Sequence, residues 1–318
     1  MAAAPRTLGE LGEFDVIDQI VRKLSPGSGV LLGPGDDAAV VAAADSRVVA
    51  TTDLLVEGRH FRRDWSEAYD VGRKAAAQSL ADVAAMGAVP TAVLVGLAAP
   101  GSLPVDWATS LADGLREESE SAGAVVVGGD LVRSETLTIA VTALGSLEGR
   151  GPVTRAGAKA GDVVAVTGRL GWAAAGFAVL SRGFRSPRVL VEAHRRPSPP
   201  YAQGPRAALL GATAMIDVSD GLVQDLGHVA AASGVLIDLA SGVFEVPEVF
   251  QDTARALSAD PLTWMLAGGE DHALAACFPA EVALPEGWQV VGRVSQGEGI
   301  VHVDGEPYDG PGGWQAFS

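Results

Sequence analysis

Ala124-Val125-Val126-Val127-Gly128-Gly129-Asp130 is the stretch from which the fold can be read. Three β-branched residues in a four-residue apolar run favour a strand over a helical turn, and the two glycines end the run. Helical spacing precedes it over Val105 to Ser121, and a strand-like run, Leu137 to Leu144, follows. Further toward the N-terminus lie a strand, Thr91 to Leu97, and a long Ala-rich helix, Tyr69 to Met86. Two short strands, Ala38 to Val41 and Val48 to Thr51, come before that helix. A helix over Glu13 to Lys23 carries Phe14, Ile17 and Val21 on one side, and Ser25 to Gly35 breaks its pattern with glycine and proline.

Gly149-Arg-Gly-Pro152 and Gly157-Ala-Lys-Ala-Gly161 punctuate the middle, and the pattern then starts again. Strands are expected at Val163 to Thr167, Ala214 to Ile216, Val235 to Leu239, Ala273 to Phe278 and Gln289 to Val294. Helices are expected at Trp172 to Leu180 and Leu222 to Ala232. The Pro-rich stretch Arg195 to Pro205 is short and reads as an ordered connection into a following helix. With 318 residues the chain exceeds one hydrophobic core, so it divides into two α/β (α+β) domains, 1–150 and 151–318.

The formal charge of −16, from 23 basic and 39 acidic residues, repels phosphate backbones and anionic lipid, which argues against nucleic acid and membranes as partners. No apolar signal core opens the chain and no run of about 18 uncharged apolar residues spans a membrane, so a cytoplasmic location is expected. The single cysteine, Cys277, lies in an apolar strand and behaves as a small hydrophobe. Five histidines show no H-x-x-x-H pairing, so a zinc hydrolase is unsupported. Gly33-Pro-Gly-Asp-Asp-Ala38 imitates a dinucleotide fingerprint, but its two acids would oppose a pyrophosphate. No P-loop string occurs.

What remains is a recurrence of small residues and acids beside apolar strands. Gly35-Asp36-Asp37 precedes one; Thr51-Thr52-Asp53 and Gly128-Gly129-Asp130 end two others; Asp217-Val-Ser219-Asp220-Gly221 and Gly268-Gly269-Glu270-Asp271 complete the set. Singly, each acid reads as a turn or helix cap. Together they favour magnesium, because hard oxygens suit that ion and small residues let a ligand approach the backbone. Phosphoryl transfer asks chiefly for positioning and charge neutralisation. Asp82, within the Ala-rich helix, is most simply explained by exposure, with a ligand role as the alternative. His60, closing Asp53-Leu-Leu-Val-Glu57-Gly-Arg-His60-Phe61, reads as structural on its own.

These strings, with Leu80-Ala-Asp82-Val-Ala-Ala-Met-Gly87 and Thr154-Arg155-Ala-Gly157, run in order over nearly the whole chain. Their combination resembles the thiamine-monophosphate kinase family, within the superfamily similar to aminoimidazole ribonucleotide synthetase (PurM-like). The resemblance implies a two-domain PurM-like fold whose N-terminal domains pair in a homodimer, with ATP as co-substrate and several magnesium ions. It implies metal ligation by Asp37, Thr51, Thr52, Asp53, Asp82, Asp130, Asp217 and Asp220, and ATP contacts from Gly129, Asp130, Arg155 and Ser219. Asp53, Asp130 and Arg155 would carry the chemistry, and His60, Glu270 and Trp314 would contact thiamine phosphate, an aromatic cation. No phosphoenzyme is implied. The family usually has Tyr then Glu after Gly-Gly-Glu-Asp, where this chain has His272 and Ala273. A selenophosphate synthetase would need a reactive Cys near the N-terminus, a purine ligase would lack the Glu57 to Phe61 context, and a noncatalytic magnesium–nucleotide sensor would need no acceptor site.

Overall fold

The computed structural model describes residues 6–11, 13–24, 29–32, 40–311 and 313. Asp36, Asp37, Trp314 and the first half of the strand expected at Ala38 to Val41 lie outside the described residues. The chain forms two compact units, one from residues up to Val83 together with Val89–Gly149, the other from Ala84–Ala88 with Arg150 onward.

The first unit runs α1 (Leu8–Leu11), α2 (Glu13–Val21), β1 (Val30–Leu32), β2 (Val40–Val41), β3 (Val49–Val56), α3 (Ala68–Ala85), β4 (Val89–Ala99), α4 (Val105–Ser121), β5 (Val125–Arg133) and β6 (Thr138–Ser146). The last two residues of α3, Ala84 and Ala85, belong to the second unit. The main sheet of the first unit has the order β3-β6-β4-β5, with β4 and β5 parallel and the other pairs antiparallel. Along β6 the residues Ile139, Val141 and Ala143 are buried, while Ala140, Thr142 and Leu144 between them are only partly covered, the alternation of a sheet with one filled face. Leu80, Leu111 and Leu115 from α3 and α4 share that core.

Those two helices meet backbone to backbone. A Cβ on Gly72 would lie 2.2 Å from the Leu111 carbonyl oxygen, and one on Gly114 would lie 2.1 Å from that of Tyr69. Glycine at both points permits the close crossing. Arg73 of α3 then reaches the buried carboxylate of Glu118 and the Tyr69 hydroxyl, the latter at 2.9 Å.

The second unit adds β7 (Val163–Thr167), α5 (Trp172–Ser181), α6 (Arg188–Arg195), α7 (Gln203–Leu209), β8 (Ala214–Val218), α8 (Leu222–Ser233), β9 (Val235–Leu239), α9 (Glu248–Leu257), α10 (Pro261–Ala267), β10 (Ala273–Phe278), β11 (Trp288–Gln296), β12 (Ile300–Val303) and β13 (Glu306–Pro307). Seven strands form one sheet in the order β13-β12-β9-β11-β7-β10-β8, antiparallel except for β9 with β12. β10 lies between β7 and β8 and is buried at every position, so it reads as a continuous apolar run. Phe278 and Trp288 meet edge to face at 5.2 Å in one core cluster, and Trp172, Phe250 and Trp264 form a second aromatic group at 5.1 and 5.7 Å. The Pro-rich connection leads into α7 as expected.

Helix α5 begins at Gly171, which is left-handed and has no side chain to cap the helix. Asp271, 98 residues away from Ala173, takes that role: its Oδ1 accepts from the Ala173 amide at 2.9 Å. Burial pushes the Asp271 carboxyl up to about 7, against the pull of the Ala173 amide.

Two outcomes follow. Gly114→Ala should cost about 2 kcal/mol or more by forcing α3 and α4 apart, whereas Gly227→Ala, at an open helical position, should be neutral or stabilise by up to about 1 kcal/mol; denaturant midpoints decide. For Asp271, a raised native pKa means the folded state holds its proton more tightly, so the linked stability is present below about pH 4 and lost as pH rises through about 7. Asp271→Asn does not titrate there, so its stability cost should be about 2 to 3 kcal/mol larger at pH 5 than at pH 8, read from melts of both proteins.

Candidate active site

In the first unit Asp53 and Asp130 lie within strands rather than after them. Asp53 was expected to end its strand; instead β3 continues through Leu54, Leu55 and Val56, because β6 pairs with it along its whole length. Gly128-Gly129-Asp130 likewise lies inside β5, which stays paired with β4 as far as Arg133. Gly129 is required there by contact: a Cβ would fall 2.0 Å from the Val95 carbonyl oxygen.

Strand alternation puts Thr51 and Asp53 on one face and Thr52 on the other. Asp53 is gripped by α3: Gln78 Nε2 donates to its Oδ1 at 3.1 Å and Ser79 Oγ to its Oδ2 at 2.7 Å. Asp82 follows Ser79 and Gln78 by three and four residues, one turn further along the same helix face. There it accepts from Thr51 Oγ1 at 2.7 Å. Asp82 is therefore half-buried and partnered, not simply exposed, since β3 lies along its helix face. Thr52 donates to the Val141 carbonyl at 3.2 Å and accepts from Thr142 at 3.1 Å on the opposite face.

Asp130 does not join that group. Asp53, Val141, Val95 and Gly129 form one row across the sheet, and Asp130 belongs to the next row with Gly96, Ala140 and Leu54. Three strand spacings separate the Asp53 and Asp130 strands, about 14 Å, and alternation turns their side chains to opposite faces. His60 closes a tight turn: its Nδ1 accepts from the Val56 amide at 3.0 Å, which assigns the ring proton to Nε2.

In the second unit two of the expected acid turns do meet. The Glu270 amide donates to the Ser219 carbonyl at 2.8 Å and the His272 amide to that of Val218 at 3.0 Å, so Gly268–His272 is laid along the end of β8. The fit needs Gly269, where a Cβ would fall 2.1 Å from the Ser219 carbonyl oxygen, and it sets Glu270 and His272 in left-handed backbone, at φ 67° and 53°. Asp217, the buried fourth residue of β8, lies 3.0 Å from His272 Nδ1. Asp220 accepts from Gln224 at 3.2 Å, and Asp225 holds the turn by accepting from the Asp220 and Gly221 amides, both at 3.0 Å. Glu270 Oε2 stands 3.5 Å from Nδ1 of the buried His194. Gly313, the neighbour of Trp314, packs against this turn, its Cβ position 2.4 Å from the Asp220 carbonyl oxygen. Arg155 sits in an exposed turn beside the other end of β8, where Thr154 accepts from the Met215 amide at 3.2 Å.

Burial raises the Asp220 carboxyl, and Asp217 adds repulsion against the relief given by Gln224. Burial also pushes Asp225 up to about 7, again with a contribution from Asp217. Among the described residues no three His, Cys, Asp or Glu side chains cluster closely enough to hold a metal by themselves. The donors still fit magnesium: they are carboxylate and hydroxyl oxygens, pre-oriented in pairs, and that ion uses one or two carboxylates and completes its shell with water and phosphate. Gln78, Ser79 and Asp225 were not anticipated. Their signal lay in spacing, Gln78 and Ser79 a turn before Asp82 and Asp225 a turn after Gly221.

Residues 35–147 match the protein family described as "AIR synthase related protein, N-terminal domain". Thiamine-monophosphate kinase of Mycobacterium tuberculosis is 52% identical over 318 residues, 100% of this chain and 95% of that protein. The Corynebacterium glutamicum protein of the same name is 40% identical over 98% of this chain and 95% of its own length. The solved structure "AaThiL complexed with AMPPCP and TMP" superposes with a TM-score of 0.81 at 34% identity, covering 99% of this chain and 100% of that one. With more than half its residues shared end to end, the chain belongs to the thiamine-monophosphate kinase family.

Proposed function

We propose that this protein transfers the γ-phosphoryl group of ATP to thiamine phosphate, forming thiamine diphosphate. The observation that carries the reading is the end-to-end identity of 52% with a thiamine-monophosphate kinase. The oxygen-rich clusters of both units support it physically, since phosphoryl transfer needs charge neutralisation more than covalent help.

In this reading Thr51, Asp53 and Asp82 form one magnesium-holding group, Thr52 and Asp130 serve magnesium from the opposite face of the sheet, Asp217 and Asp220 form another group, and Asp37 adds a further carboxylate. Magnesium bound there supplies the positive charge that a protein of net charge −16 lacks. Gln78 and Ser79 keep Asp53 from turning away, and Asp225 fixes the Ser219-Asp220 backbone. Gly129 and Ser219 offer backbone and hydroxyl contacts to ATP, and Arg155 offsets charge that builds on the nucleotide. His60, Glu270 and Trp314 receive thiamine phosphate, the Glu270 carboxylate facing a cationic ring system. A terminal oxygen of thiamine phosphate is already ionised, so attack in line on the γ-phosphorus needs positioning rather than a strong base.

The first domain would carry the nucleotide and magnesium ligands and pair two copies; the second would complete the site. Pairing is supported by the open face of the first sheet, where Leu54, Leu94 and Val132 are 53%, 37% and 49% exposed. No helix among the described residues is long and apolar enough to cross a membrane, and the reading puts the enzyme in the cytoplasm with its ATP.

Thiamine diphosphate should form from ATP and thiamine phosphate only when magnesium is present, with free thiamine as the idle parallel acceptor. Folded, ATP-binding protein that makes no product would overturn the assignment. Asp53→Asn should lower turnover by about 100-fold or more while melting near the wild type, and near-normal activity would remove Asp53 from the metal group. Sedimentation should show a dimer that Leu54→Lys converts to monomer; a monomeric wild type would refute the pairing.

A further inference from the structure

His272 follows Gly268-Gly269-Glu270-Asp271, and the structure gives it a partner. Its ring is 3% exposed, and its Nδ1 lies 3.0 Å from Oδ2 of the equally buried Asp217. Val218, Ala273 and Leu274 flank the pair on β8 and β10, all buried and apolar, while Asp220, Asp225 and Asp271 lie near enough to interact electrostatically with one or other member of it. The ring is also held from behind. His272 adopts a left-handed backbone that a non-glycine residue takes only under constraint, and its amide is bonded to the Val218 carbonyl next to Asp217. Two ties at adjacent residues, one main-chain and one side-chain, therefore fix the imidazole against a single carboxylate oxygen.

We propose that His272 is a positioning residue for Asp217, donating Nδ1–H to Oδ2 so that Oδ1 is the oxygen left to receive a cation. The inference rests on the reading of Asp217 as a magnesium ligand. An ionised carboxylate can only accept, so this contact assigns the imidazole proton to Nδ1. A ligand carboxylate restrained in this way keeps one orientation before the cation arrives, and loss of such an outer partner costs about 10- to 100-fold in metal affinity. Asp225 and Gln224 give the neighbouring turn a comparable restraint, so His272 supplies for Asp217 what those residues supply for Asp220.

Asparagine and glutamine at position 272 separate positioning from bulk packing, because the Asn amide nitrogen overlays Nδ1 whereas the Gln nitrogen extends toward the Nε2 position. Binding of Mn2+ in the presence of a non-hydrolysable ATP analogue, followed by electron paramagnetic resonance of the free ion, reads the site without turnover. His272→Gln and His272→Phe should weaken Mn2+ binding about 10-fold and raise the half-saturating magnesium concentration alike, leaving kcat at saturating magnesium and the KM for thiamine phosphate within about twofold. His272→Asn should stay within about threefold of the wild type. Wild-type binding by His272→Gln, or equal losses in Asn, Gln and Phe variants, would overturn the proposal. Nitrogen-15 spectra of the unmutated protein give a test that no folding defect can obscure: the proton must reside on Nδ1 of His272, and the opposite tautomer refutes the contact. A wild type that binds no Mn2+ would instead overturn the metal role of Asp217, a failure distinct from that of the pairing.

Discussion

A carboxylate withdrawn from water must be met by donors or by cations, and the architecture of both units answers to that constraint. In the first, Asp53 has Gln78 and Ser79, and Asp82 has Thr51. In the second, Asp217 has His272, Asp220 has Gln224, and Asp225 has two main-chain amides. Asp53 has one donor on each oxygen, whereas both amides that meet Asp225 share its Oδ2. The mutual repulsion of Asp217, Asp220 and Asp225 leaves a deficit of positive charge, which a divalent ion with its own waters can fill.

Donors reach these acids only because main chains approach closely at glycine. Gly72 and Gly114 bring α3 and α4 together; α3 in turn carries Gln78, Ser79 and Asp82 to β3. Gly129 allows β5 to approach the Val95 carbonyl, and Gly269 lets the Glu270 loop lie on Ser219. At each point a methyl group would collide with backbone, which cannot rotate away as a side chain can. Packing and site geometry are thus one requirement expressed at two distances.

This division explains what could be read from residues alone. Helix α4 was legible to its ends because its apolar spacing is a local signal, and β10 because every residue in it is apolar. The acids that matter were legible as types in an order. Their positions were not: Thr51-Thr52-Asp53 and Gly128-Gly129-Asp130 look like strand ends, since glycine and acids ordinarily stop strands. Here long-range pairing with β6 and β4 overrode that preference. Which face Asp130 takes, and that Asp271 caps a helix 98 residues away, depend on register and on contacts with no trace in local sequence.

The same physics bears on why an acidic chain can serve a triphosphate. A basic pocket would bind ATP without metal and would hold the charged product as well as the substrate, giving no preference for the moment of transfer. In the proposed reading paired acids do the reverse: they would repel the bare nucleotide and accept it together with cations. The hydrogen bonds from Ser79 and Gln78 to Asp53, of Asp225 to the Asp220 amide and between His272 and Asp217 would then favour one arrangement of those ions, and so one path for the transferred phosphoryl group.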